Sequence, residues 1–360
     1  MTGRGLIGLL LLAACEGGPG TYNETSGSDG PLGEADVGDG GGDDGAPATG
    51  GMQTGTGSTS DGTSTTSPAS DSTGSTSTGL DPDAPQPSLG CGGTTLAPGE
   101  YISLELDHGS LTRRYDVHVP DTHDGVTPLP LILELHGANQ SAAAQEARSG
   151  MQSVLESGWV LARPRGTSDN WNGGVCCGPP SNQNIDDVDF VRALVLELGT
   201  TLCLDERRIF AAGFASGGFM VHRLACEASD VVAAVSPVAG VLGVPASECM
   251  PARAVPLLHF HGTEDPLVMY GGGPGIFPHI GVEQSASEWV AINGCGLTPE
   301  TTFDMGDTTC RTWSGCNDEA VVSLCVLDGA GHCWPGEAEC PTPLPATAAM
   351  LDFFASHPMP

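Results

Sequence analysis

Three short segments of the chain carry side chains that could transfer an acyl group. Asp265 follows the apolar run 255–260, and His332 follows the apolar run 320–327. A histidine that is oriented by a carboxylate can remove a proton from a nucleophile and return it to a leaving group. The third segment, Gly213-Phe214-Ala215-Ser216-Gly217-Gly218, precedes both along the chain. This order of turn, acid and base predicts the hydrolysis of an ester.

The glycine-rich segment has the spacing of a nucleophile turn between a strand and a helix. Glycines flank a serine in such a turn, because the backbone leaves no room for side chains beside the nucleophile. Here Ala215 occupies the position of that serine, and Ser216 follows it. The oxyanion would be bound by two backbone N–H groups, one from Ser216 and one from Ala138 or Asn139.

Apolar runs alternate with helical periodicity from Cys91 to the C-terminus, which predicts alternating strands and helices. The predicted strands cover residues 114–119, 129–135, 159–163, 209–212, 231–238, 255–260 and 320–327. The predicted helices cover residues 142–156, 187–198, 217–227, 282–292 and 346–357. This pattern favours one α/β domain over residues 91–360, with a mostly parallel sheet flanked by helices. Ligand sites in such sheets lie at the carboxyl ends of the strands, where the three segments are placed.

Several sequence blocks between Tyr115 and Phe354 together resemble the polyhydroxybutyrate depolymerase and feruloyl or acetylxylan esterase group. In chain order they are Y-D-V-H-V-P, L-E-L-H-G, W-N-G-G-V-C-C-G, D-D-V-D-F-V-R-A-L, R-R-I-F-A-A-G-F, L-A-C, F-H-G-T-E-D and G-H-C-W-P-G. The resemblance implies an α/β-hydrolase fold and a secreted serine esterase that acts on polymers or on polymer-linked acyl groups. It implies no cofactor, and a nucleophile turn of sequence G-F-S-N-G-G.

The alanine in the turn leaves three interpretations open, because a methyl group cannot attack a carbonyl carbon. Ser216 could act as a displaced nucleophile, although Phe214 is too large for the shifted motif. The domain could bind its former substrate without turnover, as a polymer- or carbohydrate-binding surface protein. Water could also attack directly, with His332 as the base and Asp265 as its orienting acid. The sequence thus predicts an attenuated or inactive esterase, with a catalytically dead binding protein as the alternative.

Three further side chains are predicted to contact substrate, namely His136, Trp171 and Trp334. An indole ring at the edge of the site could stack on a sugar or phenolic ring. The same tryptophans could equally pack against neighbouring loops. The acids Asp186, Asp187 and Asp189 are predicted to cap the helix that follows them.

The charge of the chain restricts its partners. The 360 residues carry a formal net charge of −32, and all 12 basic residues are arginine. This excludes nucleic acid, whose recognition needs a cationic surface, and electrostatic docking on an anionic membrane. Residues 16–90 contain 12 acidic residues and no basic one, and are rich in Gly, Ser and Thr. We expect a disordered linker there, serving as a tether or merely as a spacer.

The N-terminus has the profile of an export signal. Residues 1–15 combine Arg4 with an apolar run over 6–12 that is too short to span a bilayer permanently. The segment Leu12-Ala13-Ala14-Cys15 resembles a bacterial lipoprotein lipobox, which implies a lipid anchor on Cys15 at the cell envelope. An ordinary secretory signal is the alternative. The expected partner is an ester-bearing polymer or polysaccharide, with membrane contact only through the anchor.

The cysteines point to an oxidising compartment. Thirteen are present, and setting Cys15 aside leaves an even number that can form disulfides. Local spacing suggests the pairs Cys333–Cys340 and Cys310–Cys316. The first pair would rigidify the loop that carries His332.

Zinc binding is the rival explanation for some of these residues. His259 and His261, or His332 together with Cys333, could offer ligands. However, the chain has no C-x-x-C pair, and the two strand histidines fit ordinary core positions. We therefore expect no metal.

Overall fold

A computed structural model describes residues 84–93 and 96–360 of the chain. The predictions for the signal segment 1–15, for Cys15 and for residues 16–83 of the linker lie outside these residues. The strands of the described part are β1 (Gly99–His108), β2 (Leu111–Val119), β3 (Leu129–Leu135), β4 (Val160–Pro164), β5 (Leu204–Phe214), β6 (Ala234–Val238), β7 (Leu257–Gly262), β8 (Glu300–Met305), β9 (Thr308–Trp313) and β10 (Val322–Leu327). They form one sheet in the order β1-β2-β4-β3-β5-β6-β7-β10-β9-β8.

The centre of the sheet is parallel and buried on both faces. Strands β4, β3, β5, β6, β7 and β10 run parallel to one another, whereas β2 is antiparallel to β4 and β9 is antiparallel to β10. Every residue of β3, β4, β6 and β7 is buried, because helices cover both faces of the sheet. The predicted α/β-hydrolase fold, with a mostly parallel sheet flanked by helices, is confirmed.

The helices of the described residues are α1 (Ala142–Ser149), α2 (Gly178–Asn182), α3 (Asp187–Thr201), α4 (Ser216–Glu227), α5 (Val282–Ile292) and α6 (Ala346–Ala355). The helix predicted over 142–156 is divided at Gly150, whose left-handed φ of 59° ends α1 before a 3-10 helix over Met151–Ser157. None of the helices in the described part is long and apolar enough to cross a bilayer.

Three strands at the two edges of the sheet were not predicted. β1 pairs antiparallel with β2, while β8 and β9 form an antiparallel hairpin beside β10. Most residues of β1 and β8 are exposed, so neither shows the apolar run of a buried strand.

The twelve cysteines of the described residues form six disulfides, which are Cys91–Cys203, Cys176–Cys177, Cys226–Cys249, Cys295–Cys316, Cys310–Cys325 and Cys333–Cys340. The predicted pair Cys333–Cys340 is confirmed. The predicted pair Cys310–Cys316 is wrong, because Cys310 on β9 lies directly opposite Cys325 on the neighbouring strand β10.

The segment over residues 84–93 is fastened to the start of β5. Cys91 is bonded to Cys203, which immediately precedes β5. The Ser88 N–H donates to the Leu204 carbonyl over 2.9 Å, and Pro87 forms an isolated bridge with Asp205. This attachment lies at the amino-terminal edge of the parallel strands.

Candidate active site

The turn after β5 places Ala215 between the sheet and α4. Its backbone has φ 51° and ψ −113°, a conformation that residues other than glycine rarely adopt. The Ala215 N–H donates to the Val238 carbonyl, 2.9 Å away at the end of β6. A Cβ atom at Gly213 or Gly217 would overlap with main-chain atoms, so the turn requires glycine at both positions. The structure thus has the strained backbone of a nucleophile turn, with a methyl group at its tip.

Asp265 in the turn after β7 and His332 in the loop after β10 meet through their side chains. His332 Nδ1 donates to Asp265 Oδ2 over 2.7 Å. The other carboxylate oxygen accepts the N–H groups of Leu267 and Val268, at 2.8 and 2.9 Å. The Asp265 side chain is fully buried, whereas 13% of the His332 side chain is exposed. Because Nδ1 carries the hydrogen of the neutral ring, Nε2 has a lone pair and can act as a base.

Two opposing effects determine the pKa of Asp265. Burial alone raises the pKa, because it disfavours the charged carboxylate. The hydrogen bond and charge of His332 outweigh burial, assisted by His261 and the Val268 N–H, and hold the pKa below its ordinary value. Asp265 is therefore ionised at neutral pH and can stabilise the imidazolium form of His332 during a reaction.

An aromatic contact places the base beside the turn. The rings of His332 and Phe214, the residue before Ala215, have centroids 4.8 Å apart. The Arg148 guanidinium lies 4.3 Å from the centroid of the Phe214 ring. Sequence reasoning missed Phe214 as a neighbour of the base and Arg148 as a neighbour of Phe214, because these contacts join β5, α1 and a distant loop.

Two backbone N–H groups are available to an oxyanion. Within the described residues, neither the Ala138 N–H nor the Ser216 N–H donates to a protein acceptor. Ser216 is the first residue of α4, so its N–H has no partner within the helix. The Asn139 N–H instead donates to the Asp169 carbonyl over 2.8 Å. Of the two alternatives that the sequence left open, Ala138 is therefore the better donor.

Among the described residues, the Ser216 hydroxyl forms no hydrogen bond with the base. The residue is 2% exposed, and its hydroxyl has no hydrogen-bond partner among the described residues. A serine nucleophile needs a hydrogen bond to its base, so this placement speaks against Ser216 as a displaced nucleophile.

The three residues predicted to contact substrate are buried. His136 is 1% exposed, and its Nε2 accepts the Gly166 N–H over 3.0 Å. Trp171 is fully buried and donates to the His136 carbonyl, while Trp334 is 1% exposed and donates to Thr347. Stacking on a substrate requires an exposed ring face, which burial removes. The structure therefore favours the packing interpretation for both tryptophans and argues against direct contact for His136.

Two acids at the start of α3, Asp186 and Asp187, have different structural roles. Asp186 caps the helix as predicted, because its Oδ1 accepts the Asp189 N–H over 3.0 Å. Asp187 is fully buried and instead forms an ion pair with Arg113 at 2.7 Å. It also accepts the Asn172 N–H over 2.8 Å and so holds the loop that contains Trp171. Burial raises the pKa of Asp187, and Arg113 opposes this effect.

One group of possible metal ligands is present among the described residues, formed by Glu100, His118 and Glu146. The Arg163 guanidinium lies 3.0 Å from Glu146 Oε2 and 3.2 Å from His118 Nε2. A permanent cation therefore occupies the space between these ligands. The group is a charge network centred on Arg163 and does not suit a metal ion.

Known proteins resemble this chain in sequence and in fold. No family model matches it. Feruloyl esterase B of Piromyces equi is 34% identical over 236 residues, which are 61% of this chain and 42% of that protein. The chain therefore spans less than half of that relative. Probable feruloyl esterase C of Aspergillus niger is 31% identical over 216 residues, covering 58% of this chain and 70% of the relative.

The fold likeness extends to solved structures. An acetyl xylan esterase from Aspergillus awamori aligns with a TM-score of 0.50 and 14% identity, over 70% of this chain and 98% of the enzyme. At this identity, the comparison supports the fold alone.

Proposed function

Because the chain belongs to the esterase group of the α/β-hydrolases that includes the feruloyl esterases, we propose that it is an exported domain of ester-hydrolase type with attenuated or absent turnover. Its substrate would be an ester-bearing polymer such as polyhydroxybutyrate or a feruloylated or acetylated polysaccharide. The observation that carries this proposal is the Asp265–His332 pair beside a nucleophile turn occupied by Ala215.

The remaining machinery can assist an attack by water. His332 Nε2 would remove a proton from water as the water oxygen attacks the ester carbonyl carbon, Asp265 would stabilise the imidazolium, and the Ala138 and Ser216 amides would hold the oxyanion. Collapse of the tetrahedral intermediate would then break the bond between the acyl carbon and the alcohol oxygen, which would take the proton back from His332. In serine proteases, loss of a triad member leaves about 10³–10⁴-fold acceleration over the uncatalysed reaction. We expect a comparably slow hydrolysis here, without an acyl-enzyme intermediate.

The alternative function is polymer or carbohydrate binding without turnover. The specific support is that neither hydroxyl nor thiol stands at the tip of the turn, while the neighbouring Ser216 hydroxyl is buried without a partner among the described residues. A polymer could occupy such a site without being cleaved. We regard this as the second candidate.

The proposed location is outside the cytoplasm. Six disulfides are typical of proteins that fold in an oxidising compartment. We extend this to lipid anchoring at Cys15 on a bacterial cell envelope. A Cys15→Ser variant should move the protein from the membrane fraction to the soluble fraction, and an unchanged distribution would contradict the anchor.

Ester hydrolysis by single variants tests the proposed chemistry. p-Nitrophenyl acetate and a feruloyl ester would be assayed with wild type, Ala215→Ser, Ser216→Ala and His332→Ala. Ala215→Ser should raise kcat by at least about 10²-fold, since it supplies the missing nucleophile. Ser216→Ala should change nothing, and His332→Ala should remove the slow activity of the wild type.

A matched control separates nucleophilic attack from the mere addition of a hydroxyl. Ala239 is also a buried alanine with φ 51°, so Ala239→Ser adds the same hydroxyl at a second turn of similar backbone, directly after β6. An equal gain in both serine variants would contradict the assigned role of Ala215. Wild-type activity that disappears in Ser216→Ala would establish the displaced nucleophile. If no variant hydrolyses ester while the wild type binds feruloylated xylan, the binding function is supported instead.

A further inference from the structure

Three histidines lie in the core beside the catalytic pair without belonging to it. His222 is on α4, and His259 and His261 are on β7. All three are at most 1% exposed. Polar ring nitrogens that are buried in this way need hydrogen-bond partners, so their partners identify which nitrogen carries the hydrogen.

The hydrogen of His261 can be assigned from its neighbours. His261 Nε2 lies 2.8 Å from the Val268 carbonyl oxygen and 3.5 Å from Asp265 Oδ2. Both oxygens are acceptors, so Nε2 carries the hydrogen and Nδ1 has the lone pair. His259 Nε2 lies 3.3 Å from His261 Nδ1. Because His261 Nδ1 has only a lone pair to offer, His259 Nε2 must carry the hydrogen of its own ring.

The same reasoning applies to His222. Trp289 Nε1 can only donate, and it lies 2.8 Å from His222 Nδ1. The hydrogen of His222 is therefore on Nε2. Burial lowers the pKa of His222 to about 3 and that of His261 to about 4, so both rings are neutral at physiological pH.

The hydrogen bonds of these rings consequently point from the donor Trp289 and from His259 towards the catalytic side of the core. Trp289 donates to His222, and His259 donates to His261, which faces Asp265. The His222 and His259 rings lie 5.4 Å apart at an angle of 79°. Between them, neither His222 Nε2 nor His259 Nδ1 forms a hydrogen bond of normal distance and angle in the described part of the chain, and the Gly240 backbone interacts with both rings.

We propose that His261 is a positioning residue for the catalytic pair. Its Nε2–H, held on that nitrogen by the hydrogen bond from His259, fixes the turn from Asp265 to Val268 so that Oδ2 faces His332. This inference rests on the proposed function, because it assumes that Asp265 and His332 form the reacting site.

The contacts of the carboxylate show why His261 matters. The Asp265 Oδ1 atom is held by amides of its own turn, from Leu267 and Val268. Oδ2 lies 2.7 Å from His332 Nδ1 and 3.5 Å from His261 Nε2. His261 also binds the Val268 carbonyl, so it ties the turn to β7. Without His261, the hydrogen bond from the base would be the one ring contact left to orient Oδ2 among the described residues.

NMR on the full chain tests the assigned hydrogens without any need for catalysis. Long-range ¹H–¹⁵N correlation of ¹⁵N-histidine-labelled protein at pH 7 should show Nε2–H in His222, His259 and His261, and Nδ1–H in His332. A His261 ring with its hydrogen on Nδ1 would overturn the proposal. A His332 Nδ1–H signal that persists in His261→Leu would do the same.

Kinetics in the Ala215→Ser background test the consequence for catalysis. His261→Leu should lower kcat by about 10²-fold with KM within twofold, because the base is misoriented. His261→Gln, which keeps an N–H near the position of Nε2, should recover most of this loss.

The control is His123→Leu. His123 is also buried, and it accepts the Cys203 N–H over 3.2 Å at the opposite edge of the sheet. This variant should keep its kcat and its His332 Nδ1–H signal. If His123→Leu lowered kcat as much as His261→Leu, the loss would reflect general destabilisation, and the positioning role of His261 would be refuted. If Ala215→Ser hydrolyses no ester, the proposed function is refuted. The His332 Nδ1–H signal in His261→Leu and His123→Leu still tests the positioning role of His261 independently.

Discussion

The Cys333–Cys340 disulfide lies next to the base, and its removal should affect both stability and catalysis. The bond closes a short loop, with a sequence separation of 7, immediately after His332. From the entropy of closing a loop of this length, replacement of both cysteines by alanine should lower the free energy of unfolding by about 2.5 kcal/mol. Because the loop also carries the base, kcat of the Ala215→Ser enzyme should fall by at least about tenfold.

A second disulfide separates these two effects. Cys295–Cys316 has a sequence separation of 21, so its removal should cost more stability, about 3.4 kcal/mol. It connects the segment after α5 to the loop after β9, and neither cysteine belongs to the loop that carries His332. Urea unfolding and ester hydrolysis would be measured for both double-alanine variants. If the Cys295–Cys316 variant loses as much kcat as the Cys333–Cys340 variant, the reasoning about the loop is refuted.

Three other predictions follow from the site and its supports. Gly217→Ala should lower the free energy of unfolding by about 1–3 kcal/mol, because the alanine Cβ would overlap with main-chain atoms at the end of β3. An unchanged Tm would contradict this prediction. Trp171→Ala should cost about 3–5 kcal/mol in urea unfolding, as for a fully buried aromatic residue, and a cost below 1 kcal/mol would indicate an exposed ring. The pKa of Asp265 is lowered in the fold, so its stabilising contribution is complete above the ordinary value of about 3.9 and is lost as pH falls through the lowered value. Urea unfolding at several acidic pH values should show this loss in the wild type and a weaker one in Asp265→Asn; equal profiles would refute it.

The sequence was sufficient for the central features of the fold. Buried parallel strands leave continuous apolar runs, and the residues that follow them are brought to one edge of the sheet. The order of these runs therefore predicted that Asp265 and His332 would both follow the carboxyl ends of strands, and the structure adds that these strands, β7 and β10, are neighbours. The structure also adds the hydrogen bond between the two side chains, which no spacing could supply.

Features that depend on contacts between distant segments were not predictable. The pairing of Cys310 with Cys325 follows from the register of β9 and β10, which the spacing of cysteines does not contain. The burial of Trp171 results from a loop that Asp187 and Arg113 hold against the domain. His261 stands four residues before Asp265, and this spacing was the one available signal for its contact with the acid. Its position on a predicted strand indicated an ordinary core residue, and His261 is indeed buried. The prediction did not include its contact with Asp265.

The attachment of residues 84–93 to the start of β5 has a mechanical consequence. β5 has 11 residues and so extends over about 35 Å, from the Cys91–Cys203 bond at one end to the Ala215 turn at the other. A force applied through the chain at residue 84 would load the hydrogen bonds of residues 86–88 first and then the covalent Cys91–Cys203 bond. The load would enter the domain at the start of β5, the end of this strand that lies opposite the Ala215 turn.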